Sequence, residues 1–212
     1  MISKINSTIL AEVIYYMKQI TNEPNYNLWK NVREGSDAAF EELYLQYAGI
    51  LYNYGLKFTS QVQLIEDCIQ ELFSGIIKYH KNLNHTDNVK YYLLRSFKNK
   101  LVKILLKEQK YTSDTQDDYR FEVQFSIEHE IVQNEEGQKR KELLVKAIEK
   151  LSIRQKEAIY LRYTNQLEYE EISSILEMEV ESCRNLVYRA IKSLRKRIEN
   201  SNFILLFITN YL

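Results

Sequence analysis

Apolar residues recur along most of this chain at steps of three and four, the spacing that collects side chains on one face of a helix. Ser36 stands where an N-cap is expected, and Phe40, Leu43, Tyr44, Tyr47, Ile50, Leu51 and Tyr54 follow it at that spacing. A second stripe starts at Ser60 and runs through Leu64, Ile65, Cys68, Ile69, Leu72, Phe73 and Ile76. The polar stretch Lys81 to Asn88 reads as a loop, and Tyr92, Leu93, Phe97, Leu101, Ile104 and Leu105 make a third stripe after it. Ahead of these, Ile9, Leu10, Val13, Met17 and Ile20 predict a short amphipathic helix over residues 5–20, before Pro24. Periodicity lapses from about Lys110 to Gly137 and resumes with Leu143, Leu144, Ala147, Ile148 and Leu151. Ser152 and Gln155 then form a capping-box pattern for a helix that buries Ile153, Ala158, Ile159 and Leu161. Two further helices, expected over 168–176 and 180–197, flank Glu177, Met178 and Glu179.

Composition supports helices and nothing else. With five Gly and one Pro in 212 residues, the chain lacks the turn formers that a sheet protein of this size needs. The expected class is all-α, in two helical domains joined by an acidic linker. Cys68 and Cys183 each fall at an apolar helical position, so both read as small core residues, in keeping with a reducing, cytoplasmic setting. No apolar run approaches the roughly 20 residues of a membrane span, and the first residues carry no signal-peptide cleavage pattern.

Net charge is zero, with 29 basic and 29 acidic residues, but the charges are unevenly distributed. Lys90, Arg95, Lys98, Lys100, Lys103 and Lys107 follow one another with no acid between them. Arg184, Arg189, Lys192, Arg195, Lys196 and Arg197 form a second such run. The stretch between holds Asp114, Asp117, Asp118, Glu122, Glu128, Glu130, Glu135 and Glu136. Two local basic surfaces can bind phosphates while the total charge stays balanced.

The last two helices carry the sharper chemistry. Tyr169, Ile172, Ile175 and Leu176, then Val180, Cys183, Val187, Ala190 and Leu194, mark two buried faces across a three-residue turn, the pattern of a helix-turn-helix. With those faces packed, the second helix turns Glu181, Ser182, Arg184, Asn185, Tyr188 and Lys192 outward. Arg184 can donate two hydrogen bonds to guanine and Asn185 can pair bidentately with adenine, while Arg189, Lys192, Arg195 and Lys196 suit phosphates. A helical hairpin with a solvated charged face is the alternative. Glu177 and Glu181 weigh toward it, because negative charge near phosphate lowers affinity.

Residues 167–197 resemble the −35-binding domain of extracytoplasmic-function sigma factors, through Tyr169-Glu170-Glu171-Ile172, Tyr188-Arg189-Ala190 and Leu194-Arg195. Glu177 stands where that family often has Gly. Glu66-Asp67-Cys68-Ile69-Gln70-Glu71-Leu72-Phe73 is similar to the family's polymerase-docking helix. The resemblance implies docking through Asp67, Gln70 and Glu71 as acceptors for Arg or Lys, with Phe73 as an apolar anchor. Tyr92-Leu93 and Arg95-Ser96-Phe97-Lys98-Asn99 resemble the segment that melts and reads the −10 element, with Tyr92 where the family usually has Trp. On that likeness Lys90, Tyr92, Arg95, Lys98, Asn99 and Lys103 would hold the opened strand, by stacking and along a cationic track. The loop Lys81–Asn88 matches the family's base-capturing loop. Ser182, Arg184, Asn185, Tyr188, Arg189 and Lys192 would contact the −35 element.

The resemblance implies a polymerase- and −10-binding domain (27–107) and a helix-turn-helix domain (138–197); the aperiodic acidic stretch (108–137) reads as a flexible linker between them, and an N-terminal extension (1–26) and an apolar tail (198–212) fall outside the resemblance. The tail segment Phe203–Ile208 is expected to pack on the second domain or the N-terminal helix, or to serve an inhibitor as a docking strip. The implied partners are core RNA polymerase and promoter DNA. A membrane-associated anti-sigma protein, common in the family, stays open as a third.

The residues give an enzyme little support. His80, His85 and His129 lack metal-ligand spacing, and no phosphate-cradling Gly-rich loop or nucleophile motif is present, so neither a metal nor a cofactor is expected. The competing class is a helix-turn-helix regulator that does not dock on polymerase, followed by a helical adaptor that binds only protein.

Overall fold

The structure, a computed structural model, describes residues 27–110, 121–122 and 145–196. The expected helix over 5–20, most of the linker and the tail 198–212 lie outside the described residues. Every regular element among the described residues is helical. A short helix α1 over residues 27–33 leads to α2 (Asp37–Gly55), α3 (Val62–Tyr79), a 3-10 turn (His80–Asn82) and α4 (Val89–Lys110). After residues 145–149 (α5) come α6 (Ile153–Ile159), a π turn (Tyr160–Thr164), α7 (Tyr169–Ile175) and α8 (Val180–Arg195).

Local chemistry sets the helix starts. The Ser36 hydroxyl accepts Ala39 N–H at 3.4 Å and opens α2 where the pattern placed it. Asn88 does the same for α4, its Oδ1 accepting Tyr91 N–H at 3.1 Å. The capping box of Ser152 and Gln155 forms reciprocally, at 3.3 and 3.0 Å. Helix α3 starts two residues after Ser60, and Thr59 rather than Ser60 supplies a side-chain acceptor there, taking Gln61 N–H at 3.1 Å. Gly35 sits at φ 85, and a Cβ there would come within 2.8 Å of the His80 ring, so the turn from α1 into α2 calls for glycine on both counts.

The described residues pack as two compact units. The first takes residues 27–53 and 63–97 and buries Leu43, Tyr47 and Leu51 of α2, Ile65, Cys68, Ile69, Phe73 and Ile76 of α3, and Leu93, Leu94 and Phe97 of α4. Trp29, which no stripe included, is only 1% exposed. Its ring lies 5.0 Å from that of Tyr92, and its indole N–H donates to Asn84 O at 3.0 Å, tying the loop before α4 to α1.

The second unit takes residues 54–62 and everything described from Lys98 onward. Helix α8 packs on α6 and α7, burying Cys183, Val187, Ala190, Ile191 and Leu194. An aromatic cluster holds Tyr54, Phe58, Phe121 and Tyr160, with Tyr54 stacked on Tyr160 at 5.7 Å. Phe121, inside the stretch expected to be a mobile linker, is 1% exposed there, and Glu122 N–H donates to Lys57 O at 2.6 Å. Beside this cluster Glu157 is fully buried, its Oε1 accepting the Tyr54 hydroxyl at 2.6 Å and lying 2.9 Å from Lys98 Nζ.

Candidate nucleic-acid interface

A π turn at Tyr160–Thr164 redirects the chain after α6, and its Arg162 fastens the next helix. Arg162 donates to Leu167 O at 2.7 Å and pairs with Glu168 at 2.9 Å, while Glu171 accepts Glu168 N–H at 2.8 Å. Helix α7 then ends in a Schellman turn: Met178 N–H donates back to Ser173 O at 3.0 Å, and Glu177 takes the left-handed position at φ 51. A β-carbon is disfavoured at such a position, which explains why this turn usually calls for Gly and how it closes here without one. Replacing Glu177 by Gly should therefore raise stability by about 1 kcal/mol. Thermal unfolding of the Glu177→Gly chain checks this, and a lowered midpoint would count against the strained turn.

Helix α8 presents the residues expected of it. Ser182, Arg184, Asn185, Tyr188, Arg189 and Lys192 are all exposed along its outer side, and Tyr188 is 63% exposed with Lys192 Nζ 5.9 Å from its ring. Arg189 Nε donates to Asn185 O at 3.3 Å and Asn185 Nδ2 to Glu181 Oε1 at 3.4 Å. Cys183, on the opposite side, is buried, and burial followed by the nearby Glu170 pushes its thiol up to about 11. It stays protonated at neutral pH and serves as packing.

Arg184 has acidic company. One terminal nitrogen lies 3.0 Å from Glu170 of α7, the other 3.8 Å from Glu181, and the guanidinium sits 5.8 Å from the centre of the Tyr169 ring. Arg162 is 4.7 Å from that same ring. Sequence periodicity placed Arg184 on the outer face but gave no sign of Glu170 reaching it from the neighbouring helix.

On α4, Arg95, Asn99 and Lys103 are exposed and fall four apart, so they share one face. Arg95 also donates to the Tyr91 hydroxyl at 2.9 Å. Lys90 is half-buried, and Tyr92, half-buried against Trp29, has its phenol pushed upward by that burial. Lys98 is not on the exposed face. It is 6% exposed, and its ammonium is held by Glu157 and by Ile175 O at 3.2 Å. The expectation that Lys98 lines a strand-binding track is corrected accordingly: it is one step off the 95–99–103 stripe and points into packed protein. The signal for this was Glu157, an acid set among the apolar positions of α6.

On α3, Asp67, Gln70 and Glu71 are exposed on one face, with Gln63 Nε2 donating to Asp67 at 2.9 Å. Gln70 lines a groove of about 470 Å³ between α2 and α3, together with Tyr44, Tyr52, Glu66 and Ile69. Phe73 is 6% exposed and packs edge-on to Tyr44 at 5.0 Å, so it is part of the core and not an exposed anchor. Among the described residues no helix is long and apolar enough to cross a membrane.

Residues 141–194 match the family model described as "Sigma-70, region 4", which spans the capped helix, the π turn and both helices of the helix-turn-helix. The chain is 25% identical over 155 residues to the ECF RNA polymerase sigma factor SigM of Bacillus subtilis (strain 168), covering 73% of this chain and 92% of that protein. Among solved structures, it resembles the sigma factor RpoE of Bartonella quintana, bound to the anti-sigma factor NepR, at a TM-score of 0.53 and 19% identity, over 74% of this chain and 94% of that one. It also resembles CnrH, bound to the cytosolic domain of CnrY, at a TM-score of 0.51 and 14% identity, over 81% and 94%. The two solved structures establish a shared fold. The region 4 match and the SigM relative go further: residues 141–194 carry a sigma-70 region 4 domain, and over most of its length the chain is similar to an extracytoplasmic-function sigma factor.

Proposed function

We infer that the chain is the promoter-specificity subunit of a bacterial RNA polymerase, a non-enzymatic partner that directs promoter recognition and transcription initiation. The observation that carries this is the helix-turn-helix of region 4, with one face of α8 buried and a polar, mainly basic face exposed. Such a helix fits the major groove, and Arg184 and Asn185 lie near its N-terminal end, where base edges are within reach. Ser182, Tyr188, Arg189 and Lys192 complete the −35 contact set in this reading.

The finer assignments belong to the same proposal. Residues 27–107 form the polymerase-docking and −10-melting part, 138–197 the −35-binding part, and the acidic stretch 108–137 joins them. Asp67, Gln70 and Glu71 accept hydrogen bonds from basic side chains of core polymerase. Arg95, Asn99 and Lys103 track the opened strand, with Lys90 and Tyr92 beside it. Support comes from their exposure and spacing, since single-strand binding needs a cationic path with aromatic platforms. The working compartment is the cytoplasm, where polymerase and DNA are. An anti-sigma protein fits as a further partner, because the solved relatives are held by NepR and by CnrY.

Mixing the chain with core polymerase separates this reading from that of a free-standing regulator. A sigma subunit co-elutes with core polymerase on size exclusion and binds promoter duplex mainly within that complex. Tight duplex binding by the chain alone, without association to core, would favour the regulator.

A further inference from the structure

We propose that Glu170 is a specificity-determining residue: it positions Arg184 for a base edge and withholds it from phosphates. The inference rests on α8 being the −35 reader, and it concerns a residue on the other helix of the motif.

The geometry is a relay across the turn. Arg162 pairs with Glu168 at 2.9 Å and lies 4.7 Å from the Tyr169 ring, which holds that ring against the start of α7. The ring in turn supports the Arg184 guanidinium at 5.8 Å, and Glu170, the next residue along α7, takes one terminal nitrogen at 3.0 Å. Glu181 meets the other only at 3.8 Å, beyond good hydrogen-bond length. The fork therefore has one firm tether and one loose end.

Such an arrangement has little to do with folding. Both side chains are about half exposed or more, at 51% and 61%, and ion pairs of that kind contribute little to stability. What the tether changes is which acceptor Arg184 can serve. A nitrogen bound to Glu170 has a second proton left, so the fork can still reach guanine O6 and N7 once Glu181 yields. A phosphate approaching the same fork meets the Glu170 carboxylate and gains far less, because the local charge is already compensated. Glu170 thus lowers binding to arbitrary DNA more than binding to the correct base, which is how a repulsive element produces discrimination.

The test uses the full chain assembled with core polymerase, on duplexes randomised across the upstream element and carrying a pre-melted downstream bubble. Bound sequences are read out, and affinity for a fixed random-sequence duplex is measured against salt. Arg184→Ala should erase preference at one guanine position, a loss of about tenfold in selectivity. Glu170→Ala should flatten the same position while binding to the random duplex rises and its salt slope steepens by about one unit, as the released Arg184 takes a phosphate. Glu170→Gln, which keeps an acceptor, should fall between, with thermal midpoints unchanged throughout. An intact position in Glu170→Ala overturns the proposal, as does a uniform loss at all positions with a lowered midpoint. If Arg184→Ala itself alters no position, the reading of α8 as the −35 reader fails, and the role of Glu170 fails with it.

Discussion

Glu157→Ala should lower the stability of the second unit by about 3–5 kcal/mol, the largest effect expected of any single polar substitution among the described residues. Glu157 is fully buried, and its Oε1 serves both Lys98 Nζ at 2.9 Å and the Tyr54 hydroxyl at 2.6 Å. Removing the carboxylate takes away the counter-charge at 2.9 Å from an ammonium group that is itself only 7% exposed. Ile175 O, at 3.2 Å, remains as an acceptor but carries no full charge. For a chain of this length the loss corresponds to a midpoint lower by roughly 10 °C. Tyr54→Phe, which removes one hydrogen bond from the same oxygen, should cost only about 1 kcal/mol. The double variant Lys98→Met with Glu157→Leu should recover most of the loss, because an apolar pair of similar volume avoids desolvation altogether. Thermal unfolding of the three variants decides the matter. A Glu157→Ala midpoint within about 2 °C of the parent would mean that the pair is open in solution.

The second large effect is expected at the polymerase. Asp67 and Glu71 lie four apart on the exposed face of α3, so reversing both charges should remove two charge-assisted contacts and add repulsion. Each such contact is worth about 1.5–3 kcal/mol, so Asp67→Arg with Glu71→Arg should weaken core binding about a hundredfold or more. Both positions are exposed, and surface substitutions of this kind leave folding nearly unchanged. Phe73→Ala would be a poor probe of the same surface. Its ring is 6% exposed and packed on Tyr44, so truncation would disturb the first unit directly. Titration of core polymerase with the charge-reversed chain checks the docking face, and undiminished affinity would move the contact elsewhere.

Much of the fold could be read from spacing. The stripes on α2, α3, α4 and α8 are buried largely as their three-four periodicity required, and Ser36 and Ser152 cap the helices they precede. The helix-turn-helix and its outward residues were equally legible, because one amphipathic helix fixes both its faces at once. Tertiary pairing was not. Lys98 sits among lysines that are exposed or half-buried, and nothing in its own neighbourhood shows that it turns fully inward toward an acid 59 positions later. Trp29 falls between two stripes, and its tie to Asn84 spans 55 residues. Phe121 stands in a polar, acidic stretch, where a single buried ring leaves no periodic trace. Glu177 stands where the family often has Gly, and its φ of 51 gives the backbone reason.

Run-off transcription on a library of genomic fragments decides whether this chain confers promoter specificity on core polymerase. Core polymerase is supplied with the chain, with the chain carrying Arg184→Ala, or with nothing. The intact chain should yield transcripts from a discrete set of start sites sharing an upstream and a downstream element, core alone should yield none of them, and Arg184→Ala should relax one upstream position. Start sites identical with and without the chain, from polymerase that has bound it, would show that it confers no promoter specificity.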